Sequence, residues 1–484
     1  MAGSARSRSA DPAARVHAAV ARALERAFPC GGAVRVPSVC VGLSGGLDSM
    51  SLLQALSTLA GEGRLALSAL HVHHGLSQNA DHWATFCQAA CRARGVPLTV
   101  ARVEVDRRSG LGIEAAARAE RWRVFAARTE DCIALGHHRD DQAETVLLQL
   151  LRGAGLRGLS AMPDDAGEEG HVGMVRLLRP LLDLSRTTLE AFARQQGLSW
   201  VDDESNADTR FDRNFVRHEV MPLLERRFPS ARASLARSAR LLGGAARLVE
   251  SVAAADLQAA LACAEGAPPG LSVGVLVAVG EGRACELLRA WLRAHGVAMP
   301  PERRLIEALR QVATAAPERT VEVRFDGATL RRYRDRICLE RPAGATTHGH
   351  DGNVVARDRP TLEWNREARM ALPTLGGILV AETVHGAGIA QRLLRGVPLS
   401  IGARAVEGGP ALRIAVGRPV RHRTLKNLWQ EHGVPPWQRD RWPLLRVGGS
   451  LACVPGVAVA TPFMAEPGEP GWMFHWLPDA APHV

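Results

Sequence analysis

Lysine is almost missing from this chain: the 60 basic residues include a single lysine, Lys426. A Walker-type phosphate loop, G-x-x-x-x-G-K-[ST], is therefore excluded, because Lys426 follows Thr424 and Leu425. Long apolar runs are also missing. None approaches the ~20 residues that cross a bilayer, so no membrane partner is expected. The first 15 residues carry no apolar core, which argues against a secretory signal. They are rich in Arg and Ser and read as a tail, with a transit peptide as the alternative. No C-x-x-C pair exists among the nine cysteines (Cys30, Cys40, Cys87, Cys91, Cys132, Cys263, Cys285, Cys338, Cys453). Their odd count and apolar settings read as small hydrophobes in a reducing cytoplasm. The one-turn pair Cys87 and Cys91 reads as core packing.

What is present is the composition of a folded globular protein, with 46% hydrophobic and 23% charged residues. The net charge is +10. That balance suits a polyanionic partner such as nucleic acid, or a basic surface without a partner. The pattern predicts a helix over 16–28, a buried strand over 34–43 and a helix over 50–60. Strands over 64–72, 98–105 and 132–135 then alternate with helices over 81–94, 113–129 and 140–151. Such alternation implies a parallel sheet covered on both faces, with ligands at the carboxyl ends of its strands. Residues 163–173 read as a surface loop, 179–196 as helix, and 202–214 as polar turns. A helix from Phe215 is expected to break at Pro222. A long helix over 231–262 ends before the boundary Ala267-Pro268-Pro269-Gly270. Helices over 282–295 and 302–315 and strands over 320–325 and 328–333 follow. Residues 342–358 read as linker, and the last ~100 as short strands around one helix, 424–432.

The strongest local signal is Ser44-Gly45-Gly46-Leu47-Asp48-Ser49, set between a strand and a helix. Two glycines let backbone N–H groups turn toward an anion. The helix adds its positive end, and Ser44 and Ser49 add hydroxyls. Asp48 would repel phosphates unless a cation lay between, so it implies Mg²⁺. The string resembles the PP-loop of the N-type ATP pyrophosphatases, and the resemblance implies cleavage of ATP between its α and β phosphates.

A second constellation, Leu135 to Thr145, closes a strand and opens a helix. Asp141 and Glu144 stand three residues apart in its first turn, where negative charge is favoured. They could bind an ammonium group, hold Mg²⁺ or accept a proton, or simply cap a helix. The longer strings Leu135–Met162, Glu114–Trp122, Arg179-Pro180-Leu181-Leu182, Asp203, Ser205-Asn206 and Arg213–Arg217 resemble the tRNA(Ile)-lysidine synthetase family. Trp122 stands where that family commonly has tyrosine. The resemblance implies a two-step reaction. The C2 oxygen of the wobble cytidine of the CAU anticodon of tRNA(Ile) attacks the α-phosphate of ATP. The ε-amine of L-lysine then displaces AMP. It further implies ATP contacts at Ser44, Gly45, Gly46, Leu47, Asp48, Ser49, His74, Arg118 and His137. Asp48, Asp141 and Glu144 are the catalytic candidates, with Asp141, Glu144 and Arg217 for lysine. Residues 73–76 are expected to line the adenosine pocket. A zinc site among His71, His73, His74, His137 and His138 is disfavoured, since no HExxH or cysteine frame accompanies them.

Arg152, Arg213, Arg421, Arg423 and Lys426 are the candidate tRNA contacts. The segment Arg421–Gln430 followed by Val434–Arg439 is basic, and reads either as a solvated face or as a phosphate-docking surface. The family carries a similar string there, which favours tRNA. Three other functions are weighed. Thiolation of tRNA suffers from the missing C-x-x-C. A glutamine-dependent amidotransferase suffers from Ala2 after the initiator. A non-catalytic tRNA-binding protein would not need Ser44, Asp48 and Ser49 intact. The expected architecture is α/β: an N-terminal tail and helix (1–32), a Rossmann-like parallel-sheet PP-loop domain (33–230) and a mostly helical α+β middle domain that binds tRNA (231–341). A linker and start of the C-terminal region (342–384) and a small α+β tRNA-binding domain (385–484) complete it. The resemblance is also compatible with a homodimer.

Overall fold

The computed structural model describes residues 11–29, 35–106, 112–163, 171–172, 175–262, 270–316, 321–340, 362–403, 413–417 and 420–478. The linker reading of 342–358, the residues just before Gly270 and most of the loop reading of 163–173 lie outside them. The chain divides into two compact units, Met1–Leu248 and Val249–Val484.

The first unit opens with α1 (Pro12–Ala27), started by Asp11, whose carboxylate accepts from the Ala13 and Ala14 N–H groups. Strand β1 (Ser38–Gly42) runs into α2 (Leu47–Gly61). Then come β2 (Ala66–His73), α3 (Ala80–Arg92), β3 (Leu98–Arg102), α4 (Ile113–Ala126), β4 (Cys132–Ala134), α5 (Arg139–Leu151) and the single turn α6 (Leu156–Leu159). Strands β5 (His171–Val172) and β6 (Val175–Leu178) form a hairpin. The sheet order is β3-β2-β1-β4-β6-β5. All neighbours pair in parallel except β5, which is antiparallel at the edge. Successive β1 side chains point to opposite faces. Val39 and Val41 join a core with α1, α2 and α3, while Cys40 joins Phe125, Ile133 and Leu177 on the other side. The sheet is therefore covered on both faces.

Three local expectations are corrected. The helix expected from Arg179 begins only at Arg186; residues 180–183 are turns, and Ser185 caps α7 (Arg186–Gln195) by accepting from the Thr188 N–H. His171–Val172, expected as part of a loop, is an edge strand. Pro222 does not break its helix. The run passes from α8 (Asp212–Phe215) through a π turn (Val216–Val220) into α9 (Met221–Arg227), with Pro222 in the first turn of α9. A proline is tolerated there because its missing N–H coincides with the wider turn.

Helix α10 (Ala231–Leu261) leads into the second unit. There, helices Glu281–Ala294 and Glu302–Thr314 pack on a four-stranded antiparallel sheet. Its strand Arg336–Glu340 was not expected from the sequence. The C-terminal part holds a five-stranded and a four-stranded sheet around Trp364, Trp429, Phe474 and Trp476. Strands Leu362–Glu363, Arg369–Leu372 and Gly377–His385 already belong to these sheets, so the described part of the stretch read as linker and start of the C-terminal region contributes three of their strands. No helix among the described residues is long and apolar enough to cross a membrane.

Candidate active site

The loop between β1 and α2 is shaped by its glycines and serines. Gly45 has φ +89°, and a Cβ there would meet Val201 Cγ2 at 2.9 Å and Cys87 Sγ at 3.2 Å. The Ser49 hydroxyl donates to the Gly46 carbonyl at 3.0 Å and accepts from the Ser44 and Gly45 N–H groups, both at 3.2 Å. The Gly46 N–H donates to Ser44 Oγ at 3.3 Å. A ring of N–H and O–H groups thus gathers at the positive end of α2. Such rotatable hydroxyls can exchange these contacts for phosphate oxygens. The Val201 N–H donates to the Gly45 carbonyl at 3.0 Å and holds a distant segment over the loop.

Asp48 lies in the first turn of α2. Its Oδ1 is buried and has no hydrogen-bond partner. Its Oδ2 lies 3.5 Å from His138 Nε2 and 3.9 Å from Arg186 Nη1. A buried, unpaired carboxylate oxygen beside a phosphate-type loop is the donor a hard divalent cation takes. The residues therefore fit Mg²⁺. Among the described residues no group of three or more His, Cys, Asp or Glu is arranged to hold a metal, so an ion at Asp48 would draw other ligands from nucleotide and water.

The β4–α5 turn packs directly on this loop. A Cβ on Gly136 would stand 3.0 Å from the Asp48 carbonyl carbon and from Ser49 N, so a bare glycine lets the two turns approach this closely without displacing backbone. His138 caps α5: its Nδ1 accepts from the Asp140 N–H at 3.2 Å, and Asp141 Oδ2 accepts from the His138 N–H at 3.0 Å. Nδ1 being an acceptor, Nε2 carries the proton and points at Asp48 and at Asp141, 3.6 Å away. Burial opposes a charged His138 ring, but Asp48, Asp141 and Asp140 outweigh it and hold its pKa above the ordinary value. Burial, aided by Arg179, Arg213 and Arg118 and opposed by Asp141, pushes His137 down to about 3. Burial and Arg121 push His74 down to about 4. Both are neutral rings at pH 7.

Glu144 is sealed by arginines from the α8–π run. Arg217 donates to Glu144 Oε1 and Oε2, both at 2.8 Å, and to Asp141 Oδ1 at 3.0 Å. Arg213 Nε donates to Glu144 Oε2 at 3.1 Å. Burial would raise the Asp141 pKa, but His138, Arg213, His137 and the His138 N–H bring it down to about 2.

These groups border one cleft of about 1130 Å³ at the carboxyl ends of β1, β2 and β4. It exceeds the ~300–1,000 Å³ of an ordinary small-molecule pocket. Ser44, Gly46, Leu47, Asp48, Ser49, His74, Arg118, His137, Asp141, Arg213 and Arg217 all line it. Gly45 and Glu144 lie behind this lining, Gly45 in the left-handed turn of the loop and Glu144 under the two arginines. Arg118 lies over the Trp122 ring, 5.2 Å from its centroid. Arg213, expected on tRNA, is placed inside the cleft on the carboxylates. Arg152 is exposed, pairs with Asp212 at 3.3 Å and does not line the cleft. Arg186 was missed by sequence reasoning, and His138 was weighed there only as a disfavoured zinc ligand. The signal for His138 was its place just before the first turn of a helix whose third residue, Asp141, can reach back to it.

In the second unit, Arg421 and Lys426 are exposed, whereas Arg423 pairs with Glu431. Trp429 is fully buried. Arg439 is buried and donates to the Val434 carbonyl at 3.0 and 2.9 Å. Trp429 and the last arginine of the basic string are thus structural, and Arg421, His422 and Lys426 are its exposed basic side chains.

Three family descriptions match the chain: the PP-loop domain over residues 17–224, the TilS substrate binding domain over 271–338 and the TilS substrate C-terminal domain over 400–476. The tRNA(Ile)-lysidine synthase of Azoarcus sp. (strain BH72) is 39% identical over 92% of this chain and 92% of its own length. The enzyme of that name from Chromobacterium violaceum is 41% identical over 90% of this chain and 95% of its own. That from Burkholderia pseudomallei is 42% identical over 91% and 93%.

Proposed function

Because the chain belongs to the tRNA(Ile)-lysidine synthase family, we propose that it is an ATP-dependent ligase joining L-lysine to C2 of the wobble cytidine in the CAU anticodon of tRNA(Ile), which moves codon reading from AUG to AUA. The observation that carries this reading is one cleft with two chemistries. A phosphate loop with the unpaired Asp48 oxygen lies on one side and Asp141, backed by the buried Glu144, on the other, with His138 Nε2 facing both Asp48 and Asp141.

The loop N–H groups and the Ser44 and Ser49 hydroxyls receive the phosphates of ATP. Mg²⁺ held by Asp48 would neutralise charge on the leaving pyrophosphate. Neutral His74 and His137, with Arg118, line the nucleotide's place. The cytidine C2 oxygen bonds to the α-phosphorus and the α–β bridge breaks, releasing pyrophosphate. Asp141, held at about 2, is a weak base, so its part is to hold and aim the lysine ammonium. Glu144 is the candidate to take its proton, since only the neutral amine is a nucleophile. The amine nitrogen then bonds to C2 and the C2–O bond breaks, releasing AMP. Arg217 orients the pair. Exposed Arg152, Arg421 and Lys426 contact tRNA phosphates.

The test is incubation with tRNA bearing a CAU anticodon, labelled lysine, ATP and magnesium, followed by nucleoside analysis. Lysidine at the wobble position is expected; AMP release without incorporated lysine overturns the reading. The substrates put the enzyme in the cytoplasm. The homodimer compatible with the family is read by light scattering at working concentration.

A further inference from the structure

The carboxylate pair is already neutralised. Glu144 is 1% exposed and Asp141 11%. Two guanidinium groups, Arg213 and Arg217, lie within hydrogen-bond reach of them. Arg232 stands farther off, 3.9 Å from Glu144 and 4.0 Å from Asp140. An arriving ammonium would place a third positive charge on two carboxylates in a partly desolvated site, and like charges at such range repel strongly. One guanidinium must leave.

The two arginines are not held equally. Arg217 makes a bidentate contact at 2.8 Å with Glu144, the strong geometry for this pair. Arg213 makes one contact of 3.1 Å, and its Nη2 has only long ones: 3.4 Å to the Asp141 carbonyl, 3.4 Å to Asp141 Oδ1 and 3.5 Å to Thr145 Oγ1. Its side chain is also the more exposed, 31% against 23%. Those three acceptors around one nitrogen suit a group with three rotatable donors, which an ammonium is and a planar guanidinium is not.

We propose that Arg213 is a resident cation occupying the place of the lysine ε-ammonium, and that L-lysine binds by displacing it. The proposal rests on the reading of Asp141 and Glu144 as the lysine site. Arg213 keeps the pair charged and aimed before lysine arrives, and its displacement is a cost that every bound lysine must meet. A neutral amino acid side chain cannot meet it, so the exchange also selects for a cation. Arg213 is a positioning residue here, in place of the tRNA contact expected from the sequence.

The test is equilibrium dialysis of labelled L-lysine against the full-length protein as wild type, Arg213→Gln and Arg213→Lys, with steady-state KM values for lysine and tRNA. Without the competing cation, the Kd and KM for lysine should fall about fivefold, roughly 1 kcal/mol at 1.4 kcal/mol per tenfold. Arg213→Lys, which restores a cation, should return lysine affinity toward wild type. Weaker or unchanged lysine binding by folded Arg213→Gln overturns the proposal. So does a raised KM for tRNA with a shallower salt dependence, which would make Arg213 a phosphate contact. If wild type itself takes up no lysine, the lysine-site reading and the proposal fall together; if wild type binds and the variant gains nothing, the proposal falls alone.

Discussion

Glu144→Gln isolates charge from shape at the most enclosed carboxylate of the site. The side chain keeps its volume, but the two 2.8 Å contacts with Arg217 and the 3.1 Å contact with Arg213 lose their anion. Removing one partner of a buried ion pair costs ~3–5 kcal/mol, chiefly because the other charge is left behind. Arg217 keeps Asp141 Oδ1 at 3.0 Å and is 23% exposed, so the lower end, ~3 kcal/mol, is expected. At ~2–4 °C per kcal/mol for a unit of this size, its melting transition should move down by ~6–12 °C. A lysine ammonium loses one charge-assisted hydrogen bond, ~1.5–3 kcal/mol, which raises the KM for lysine ~10–150-fold. Pyrophosphate release measured before lysine is added should change far less, because Asp48 and the loop are untouched. Differential scanning calorimetry reads the first effect, and parallel assays of pyrophosphate release and lysine incorporation read the second. Equal losses in the two half-reactions, or an unmoved melting transition, would refute the reasoning.

Asp48→Asn should lower pyrophosphate release by at least ~10²-fold while tRNA affinity, read by filter binding, holds, since only phosphate and cation positioning is lost. Gly45→Ala should destabilise the fold by more than the ~1–2 kcal/mol of a left-handed alanine, because its Cβ also meets Val201 at 2.9 Å. Gly63→Ala, at a similar φ of +72° with open space around it, should show the backbone cost alone in urea denaturation; equal losses at the two sites contradict the packing argument. Burial pushes the thiols of Cys87 and Cys338 up to about 12 and those of Cys40 and Cys91 up to about 11. A raised thiol pKa means less thiolate at pH 8, so iodoacetamide should label these four only after unfolding. Mass spectrometry that finds them modified within minutes in folded protein contradicts this. Lys426→Gln should weaken tRNA binding and flatten its log–log salt dependence by about one unit; an unchanged slope removes Lys426 from the phosphate contacts.

Features that depend on a few adjacent residues were legible in the sequence. The strand–SGGLDS–helix unit, the alternation that makes a parallel sheet and the shared helical turn of Asp141 and Glu144 all follow from glycine sterics and from periods of 2 and 3.6 residues. These act within one or two turns of chain. Tertiary structure decided the rest. Glu144 meets Arg213 and Arg217, which lie 69 and 73 residues away along the chain, and only the packing of the α8–π run against α5 brings them within 3.1 Å. His138 becomes the link between Asp48 and Asp141 because Gly136 lets one turn rest on another. Trp429 and Arg439 read as part of a basic face until the C-terminal core encloses them. Coulomb and packing energies depend on distance through space, and residue spacing reports that distance only while the chain has not yet turned back on itself.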